Sequence, residues 1–288
     1  MLINKLDVSS CYFDMINNAV EFVEREFPVK ILFGGIIGSV GYELHNDTSD
    51  IDMILFYSSD FDIDPSIMSV LNKAVLLNDL IGVIMFNIKL LNSVNLPSEQ
   101  IDASISPNYI KPHFNFDYDI LPDSTNCRLC SAVTETLFCR KIWDERGYLS
   151  TNMMTLKKFL TVYDFMKRQY IYAQGRLDKY LVDNEVRLRT YLYTARDILS
   201  IEHILAAKEF PTLDFITLLN ECHNSEAKNI LFELHYKNIK AGVDKTKLMI
   251  QPIALLNQYF SDRLQEIKPN IETFYTIYRN DVFDIAIM

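Results

Sequence analysis

The chain has 288 residues and a formal net charge of −10, with 49% hydrophobic and 23% charged residues. That profile excludes a disordered chain and disfavours a collagen-like one, and the acidic balance argues against a surface that coats nucleic acid without regard to sequence. The length suits one large domain or two ordinary ones and buries a core without staples. The charge is also divided: residues 1–122 hold 6 basic and 17 acidic side chains, a net of −11, while residues 123–288 hold 22 and 21, a net of +1. Such asymmetry points to two parts with different tasks.

The opening MLINKLDVSS lacks a basic stretch followed by an apolar run, so no signal peptide is expected. No apolar stretch approaches the ~18 residues of a membrane-crossing helix. The five cysteines are irregularly spaced and read as reduced thiols. A cytoplasmic protein with no membrane partner is the expectation.

Residues 11–26 form the first predicted helix, with Phe13, Ile16, Val20 and Val23 at helical spacing and Pro28 beyond its end. A buried strand follows from Val29 to Phe33 and leads through Gly34-Gly35 to a tight turn at Gly38-Ser39. Residues 51–57 are a second strand. Residues 67–91 look helical, with an apolar patch at 80–86 that is compatible with a strand instead. Residues 100–106 alternate as a third strand, placing Ile101, Ala103 and Ile105 on one face and Asp102 and Ser104 on the other. Beyond residue 131 the pattern predicts successive helices at about 131–143, 153–174, 184–207, 213–221, 225–240 and 251–267, punctuated by Pro211, Gly242, Pro252 and Pro269. The expected architecture is α+β: strands and helices together over 1–125, then an all-helical domain over 126–288.

Chemistry concentrates between residues 38 and 52. Asp50 and Asp52 lie two apart at the start of a strand, so their carboxylates share a face. Two acids side by side repel unless a cation neutralises them, and hard oxygen ligands of this kind suit Mg²⁺, with Mn²⁺ as a substitute. The Gly38-Ser39 turn brings backbone N–H groups and a hydroxyl close to a phosphate with no side chain in the way. The plain alternative is a solvated strand end beside an ordinary turn.

The full string GSVGYELHNDTSDIDMILF resembles the signature of the polymerase-β-like nucleotidyltransferase superfamily. In that superfamily a Gly-Ser follows the first strand and an Asp-x-Asp opens the next. The resemblance implies a catalytic domain over 1–125 with a small mixed sheet flanked by helices, and metal ligation by Asp50 and Asp52, with a third carboxylate from a later strand serving the acceptor. Asp102 is the choice for it, and Asp117 and Asp119 are the competitors.

RLRTYLYTARDILSIEHIL, at residues 187–205, sets Arg189, Tyr193 and Arg196 on one helix face. This string, with the Pro211–Phe215 segment and SEQIDASISPNY, resembles the bacterial and phage branch of RNA-ligase-associated nucleotidyltransferases. The likeness extends from about residue 30 to 240, and the stretch 107–150 departs from the family pattern. It implies a Mg²⁺-dependent enzyme that moves a nucleotidyl group from an NTP to an acceptor hydroxyl and releases pyrophosphate. Gly38, Ser39, Ser49, Arg189, Tyr193 and Arg196 would bind the nucleotide, while Asp50, Asp52 and Asp102 would be catalytic and hold metal. The helical domain would close over the nucleotide and acceptor. The acceptor, whether an RNA end, a protein or a small molecule, stays open.

Between residues 157 and 196 there are 9 basic and 4 acidic side chains, a local net of +5 that phosphates would match. An ordinary solvated helix face is the alternative. A non-catalytic or antitoxin-like nucleotide-binding relative is the competing function, although an intact Asp-x-Asp argues against it. Cys127-x-x-Cys130 resembles half a zinc knuckle, but His113, Cys139 and Cys222-His223 do not complete it. His45 reads as a surface loop residue, and Tyr163, Tyr170 and Tyr172 as core or rim rather than a base-stacking platform.

Overall fold

The computed structural model describes residues 8–46, 49–58, 75–78, 81–88, 136, 142–149, 151–152, 162–212, 214–241 and 248–278. They group into two compact units, one drawn from Met1–Gly38, Asp50–Phe116 and Ser124–Phe159, the other from Ser39–Ser49, Asp117–Asp123 and Leu160–Met288. Asp102, Asp117, Asp119, His113, Cys127, Cys130 and Cys139, with the expected strand at 100–106, lie outside the described residues.

In the first unit, helix α1 (Val8–Glu26) buries Ile16, Ala19, Val20 and Val23, one face at i, i+3, i+4 and i+7, and packs on strand β1. Strand β1 (Lys30–Ile37) runs on through Gly34-Gly35 and is followed by the single turn of helix α2 (Gly38–Gly41). A Cβ at Gly34 would collide with the Ile54 carbonyl and with Leu55 on the neighbouring strand, so a glycine is what lets the two backbones close. Strand β2 (Ile51–Ser58) lies antiparallel to β1, with Ile37 opposite Asp52. Strand β3 (Val75–Asn78) and strand β4 (Ile81–Asn87) follow. With strand β5 (Ile142–Trp143), the five-stranded mixed sheet has the order β3-β4-β2-β1-β5, with β2 and β4 parallel. Its core stacks Phe33 on Phe56 at 4.3 Å and on Tyr148 at 5.7 Å.

Two expectations are corrected in this unit. Residues 75–78 are strand rather than helix, and 81–87 are the strand that the apolar patch at 80–86 allowed as its alternative. The β4 run is a parallel strand, and such strands read as continuous apolar segments without a two-residue period. The expected helix at 131–143 ends instead in strand β5 (Ile142–Trp143), which pairs antiparallel with β1 at Gly35 and Gly34. The buried Trp143 donates from Nε1 to Asn17 Oδ1 at 2.6 Å and thereby ties β5 to α1.

In the second unit, helix α3 (Val162–Tyr180) packs on helix α4 (Leu188–Ala207), and helix α7 (Ala254–Tyr278) packs on both. Helices α5 (Phe215–Asn220) and α6 (Ser225–Lys240) cover other parts of α4. Their starts are capped as the sequence permits: Asp214 accepts from Thr217 N at 2.7 Å and Asn224 from Ala227 N at 2.9 Å. Lys208 closes α4 in the left-handed conformation, donating its N–H to Ile204 O at 2.9 Å.

This part is not all-helical. Strands β6 (Val186–Arg187) and β7 (Met249–Ile250) form a short antiparallel ladder, and α4 therefore starts at Leu188 rather than at 184. Pro269, expected to stop a helix, lies inside α7. Leu256, Phe260, Leu264, Ile267 and Ile271 are buried along one stripe that continues past it, and their burial offsets the lost backbone bond.

Candidate active site

Strand β1 ends at Ile37, and Gly38 begins a single helical turn, α2 (Gly38–Gly41). Gly38 has φ +66°, the left-handed region. A Cβ there would press into Asp52 Oδ2 and sit 3.0 Å from its Cγ. Only glycine leaves room for that carboxylate. Asp52 is the second residue of β2, between Ile37 on β1 and Gly82 on β4, and Asp50 directly precedes the strand. Both aspartates are half-buried. The donor set is two hard carboxylates beside a backbone stripped of its Cβ, which fits a divalent cation such as Mg²⁺. Among the described residues no group of three His, Cys, Asp or Glu side chains is placed to hold a metal. A third carboxylate from Asp102, Asp117 or Asp119 falls outside them.

The loop that follows Gly38 belongs to the second unit. Ser39 is buried at 2% exposure, and its hydroxyl has no hydrogen-bond partner among the described residues. The loop backbone is clipped to helices at three successive carbonyls. Tyr42 O accepts from Phe215 N at 3.1 Å, Glu43 O from His235 Nε2 at 2.9 Å, and Leu44 O from Asn238 Nδ2 at 2.8 Å. Ser49 closes the far end: its Oγ accepts from Asn46 N at 3.0 Å and donates to Asn46 Oδ1 at 3.2 Å. Ser49 thus shapes the turn just before Asp50. His45 is half-buried in the same loop.

Helix α4 does bring Arg189, Tyr193 and Arg196 together. Arg189 Nη2 lies 3.3 Å from Tyr193 Oη, and both guanidiniums sit 5.5 Å from the Tyr193 ring centroid. Their environments differ. Arg189 is half-buried, whereas Arg196 is 4% exposed, lies 3.8 Å over the Tyr42 ring, and donates from Nη2 to Asp197 Oδ1 at 2.7 Å. Asp197 is wholly buried and also pairs with Arg176 from α3. Tyr170 meets Gln174, and Tyr172 lies buried under Arg168 and Arg176.

The sequence reading missed Tyr42, Arg176 and Asp197 as members of this arrangement. Asp197 carried a signal, since an acid directly following Arg196 on an otherwise apolar helix stretch needs a cation to be buried. Tyr42 carried none beyond its place in the motif loop.

A mixed α+β sheet with Gly-Ser at the end of one strand and Asp-x-Asp at the start of the next has the features of a nucleotidyltransferase-type protein. Residues 142–281 match the family model described as RlaP, RNA repair pathway DNA polymerase beta family. The match bears out the family resemblance read from the sequence and supports a nucleotidyltransferase-type function. It covers α3 to α7 and β5 to β7 but not the Gly38–Asp52 motif, so the two lines of evidence fall on different parts of the chain. No curated protein matches the chain.

Proposed function

We propose that the protein is a Mg²⁺-dependent nucleotidyltransferase that moves NMP from an NTP to an acceptor hydroxyl and releases pyrophosphate. The observation that carries this reading is the fit of the Asp52 carboxylate against the Cβ-free face of Gly38, one residue before the buried Ser39 hydroxyl. A merely structural strand end does not require glycine there.

Asp50 and Asp52 would hold the metal, with Asp102 as the third carboxylate. When bound, the cation supplies charge neutralisation at the phosphoryl group being transferred. The chain's own residues do the rest. The Ser39 hydroxyl and the backbone N–H groups of the Gly38 turn bind phosphate oxygens, and Ser49 fixes the turn that aims Asp50. Arg189 and Arg196 set positive charge against the triphosphate, and Tyr193 offers its hydroxyl as a hydrogen-bond donor. Asp102 takes the proton from the acceptor hydroxyl. The oxygen of that hydroxyl then bonds to the α-phosphorus, and the bond to the pyrophosphate oxygen breaks. The RNA-repair description of the matching family supports an RNA end as the acceptor.

The test is incubation of the full chain with labelled NTPs, Mg²⁺ or Mn²⁺, and RNA, protein and small-molecule acceptors. Transfer with pyrophosphate release supports the reading. Tight NTP binding with no pyrophosphate would overturn it in favour of a nucleotide-binding regulator.

A further inference from the structure

Three arginines surround one aromatic ring in the second unit. The guanidinium carbons of Arg176 on α3 and of Arg189 and Arg196 on α4 each lie 5.5 Å from the Tyr193 centroid. Two of them share a carboxylate: Asp197 takes Arg176 on one oxygen and Arg196 on the other. Arg189 does not. Among the described residues it pairs with no carboxylate, its Nη2 meets only the Tyr193 hydroxyl, and its Nε is buried with no hydrogen-bond partner.

That placement is costly. A half-buried guanidinium loses hydration and needs an anion or good acceptors in return. Arg189 also stands in the first turn of α4, where the positive end of the helix dipole disfavours a cation and where no acidic residue is present. An anion held between Arg189 and Arg176 relieves both costs. The Arg176 side chain is 18% exposed, so it reaches solvent while Asp197 fixes its orientation.

We propose that Arg176 and Arg189 form a binding site for a polyphosphate beside the Tyr193 ring, with Arg176 as a ligand that the sequence did not identify. Guanidiniums grip phosphate oxygens in pairs, through planar forks held at fixed angles. Two forks converging on one ring make a compact site, which suits a short polyanion rather than a strand tracked along a basic stripe. The inference rests on the nucleotidyltransferase reading only for the source of the ligand, the triphosphate tail of a nucleotide.

The experiment is calorimetric titration of the full chain with inorganic tripolyphosphate in the presence of EDTA, which removes any metal held by Asp50 and Asp52. The wild type binds, and Arg189→Ala weakens binding about tenfold or more, the loss of one charge-assisted contact. Arg176→Ala weakens it similarly. Because that change also strips a partner from Asp197, Arg176→Lys serves as its control: it retains the ion pair yet loses affinity with the fork. Arg189 has no carboxylate to orphan, so its variant remains folded and interpretable. Because EDTA keeps Asp50 and Asp52 free of metal, binding in this assay does not depend on the metal-site reading. Tripolyphosphate affinity equal to wild type in Arg189→Ala overturns the proposal. So does loss of single-stranded RNA binding with tripolyphosphate binding intact, since the site would then belong to an RNA backbone.

Discussion

Gly38 and Asp52 approach so closely that a single methyl group does not fit between them: a Cβ on Gly38 would overlap Asp52 Oδ2 and stand 3.0 Å from its Cγ. The register of β1 against β2, with Ile37 opposite Asp52, creates this contact at the strand ends. Gly38→Ala carries two penalties. The left-handed φ of +66° costs a residue with a Cβ about 1 kcal/mol, and relieving the overlap must turn the Asp52 carboxylate aside. The expected outcome is a fall in nucleotide transfer of at least ~10-fold with only a modest loss of thermal stability. Steady-state kinetics beside a melting curve check it.

Ser39 separates binding from folding in the opposite direction. Its hydroxyl is buried without a partner among the described residues, so it contributes little to the fold and costs desolvation. Ser39→Ala is expected to leave stability unchanged or raised by up to about 1 kcal/mol. If the hydroxyl serves a phosphate, the same change raises KM for the nucleotide severalfold. Denaturant unfolding and initial-rate measurements on one preparation decide the pair.

How far the sequence discloses this site depends on what each residue needs. Asp50, Asp52, Gly38 and Ser39 are legible because chain-local geometry places them: a two-residue spacing on a strand and a turn without a Cβ are properties of the sequence itself. The pairing of Arg176 with Asp197 is not legible, because the partners come from different helices 21 residues apart and meet only through packing. Strand β4, parallel to β2, shows an unbroken apolar run that leaves helix and strand both open, and β3, only four residues long, is too short to show a period. Strand β5 is two residues long and carries no period at all. Helix α6 is legible end to end, because Asn224 caps it and the apolar positions Ala227, Leu231 and Leu234 recur on one face. Pro269 misled because a local rule against proline in helices ignores the buried stripe that overrides it.

Asp197 is the residue on which the second unit is expected to be most sensitive. It is fully buried and shared by Arg176 and Arg196. Asp197→Asn leaves two guanidiniums short of their counter-charge, and the expected loss is about 3–5 kcal/mol, as for a broken buried pair. The Arg196 stack on Tyr42 should loosen with it, so amide exchange at residues 42–46 is expected to accelerate. Urea unfolding and hydrogen exchange test the two parts.

Acid sensitivity of the first unit is traced to Glu24. Burial pushes its carboxyl up, but the Arg146 side chain, the Ile31 N–H at 2.6 Å and the charges of Arg146 and Lys30 outweigh that, so its net shift is below the ordinary glutamate value. Arg146 holds both carboxylate oxygens, at 2.5 and 2.9 Å. A depressed folded pKa adds stability that is complete above the unfolded value and is lost as pH falls through the folded one. Glu24→Gln should therefore be less stable than wild type at neutral pH, and the gap should narrow as the pH drops below the ordinary glutamate range. Unfolding curves between neutral and acidic pH measure that gap.

Nucleotide transfer by the paired aspartates is the central claim. The most direct measurement follows labelled NMP from an NTP onto RNA with free hydroxyl ends, in Mg²⁺, for wild type, Asp50→Asn and Asp52→Asn. The account predicts a labelled product and pyrophosphate for wild type. Each variant should lose transfer by at least ~100-fold while remaining folded, since a metal ligand stabilises transition-state charge by several kcal/mol. Transfer undiminished in both variants would contradict it.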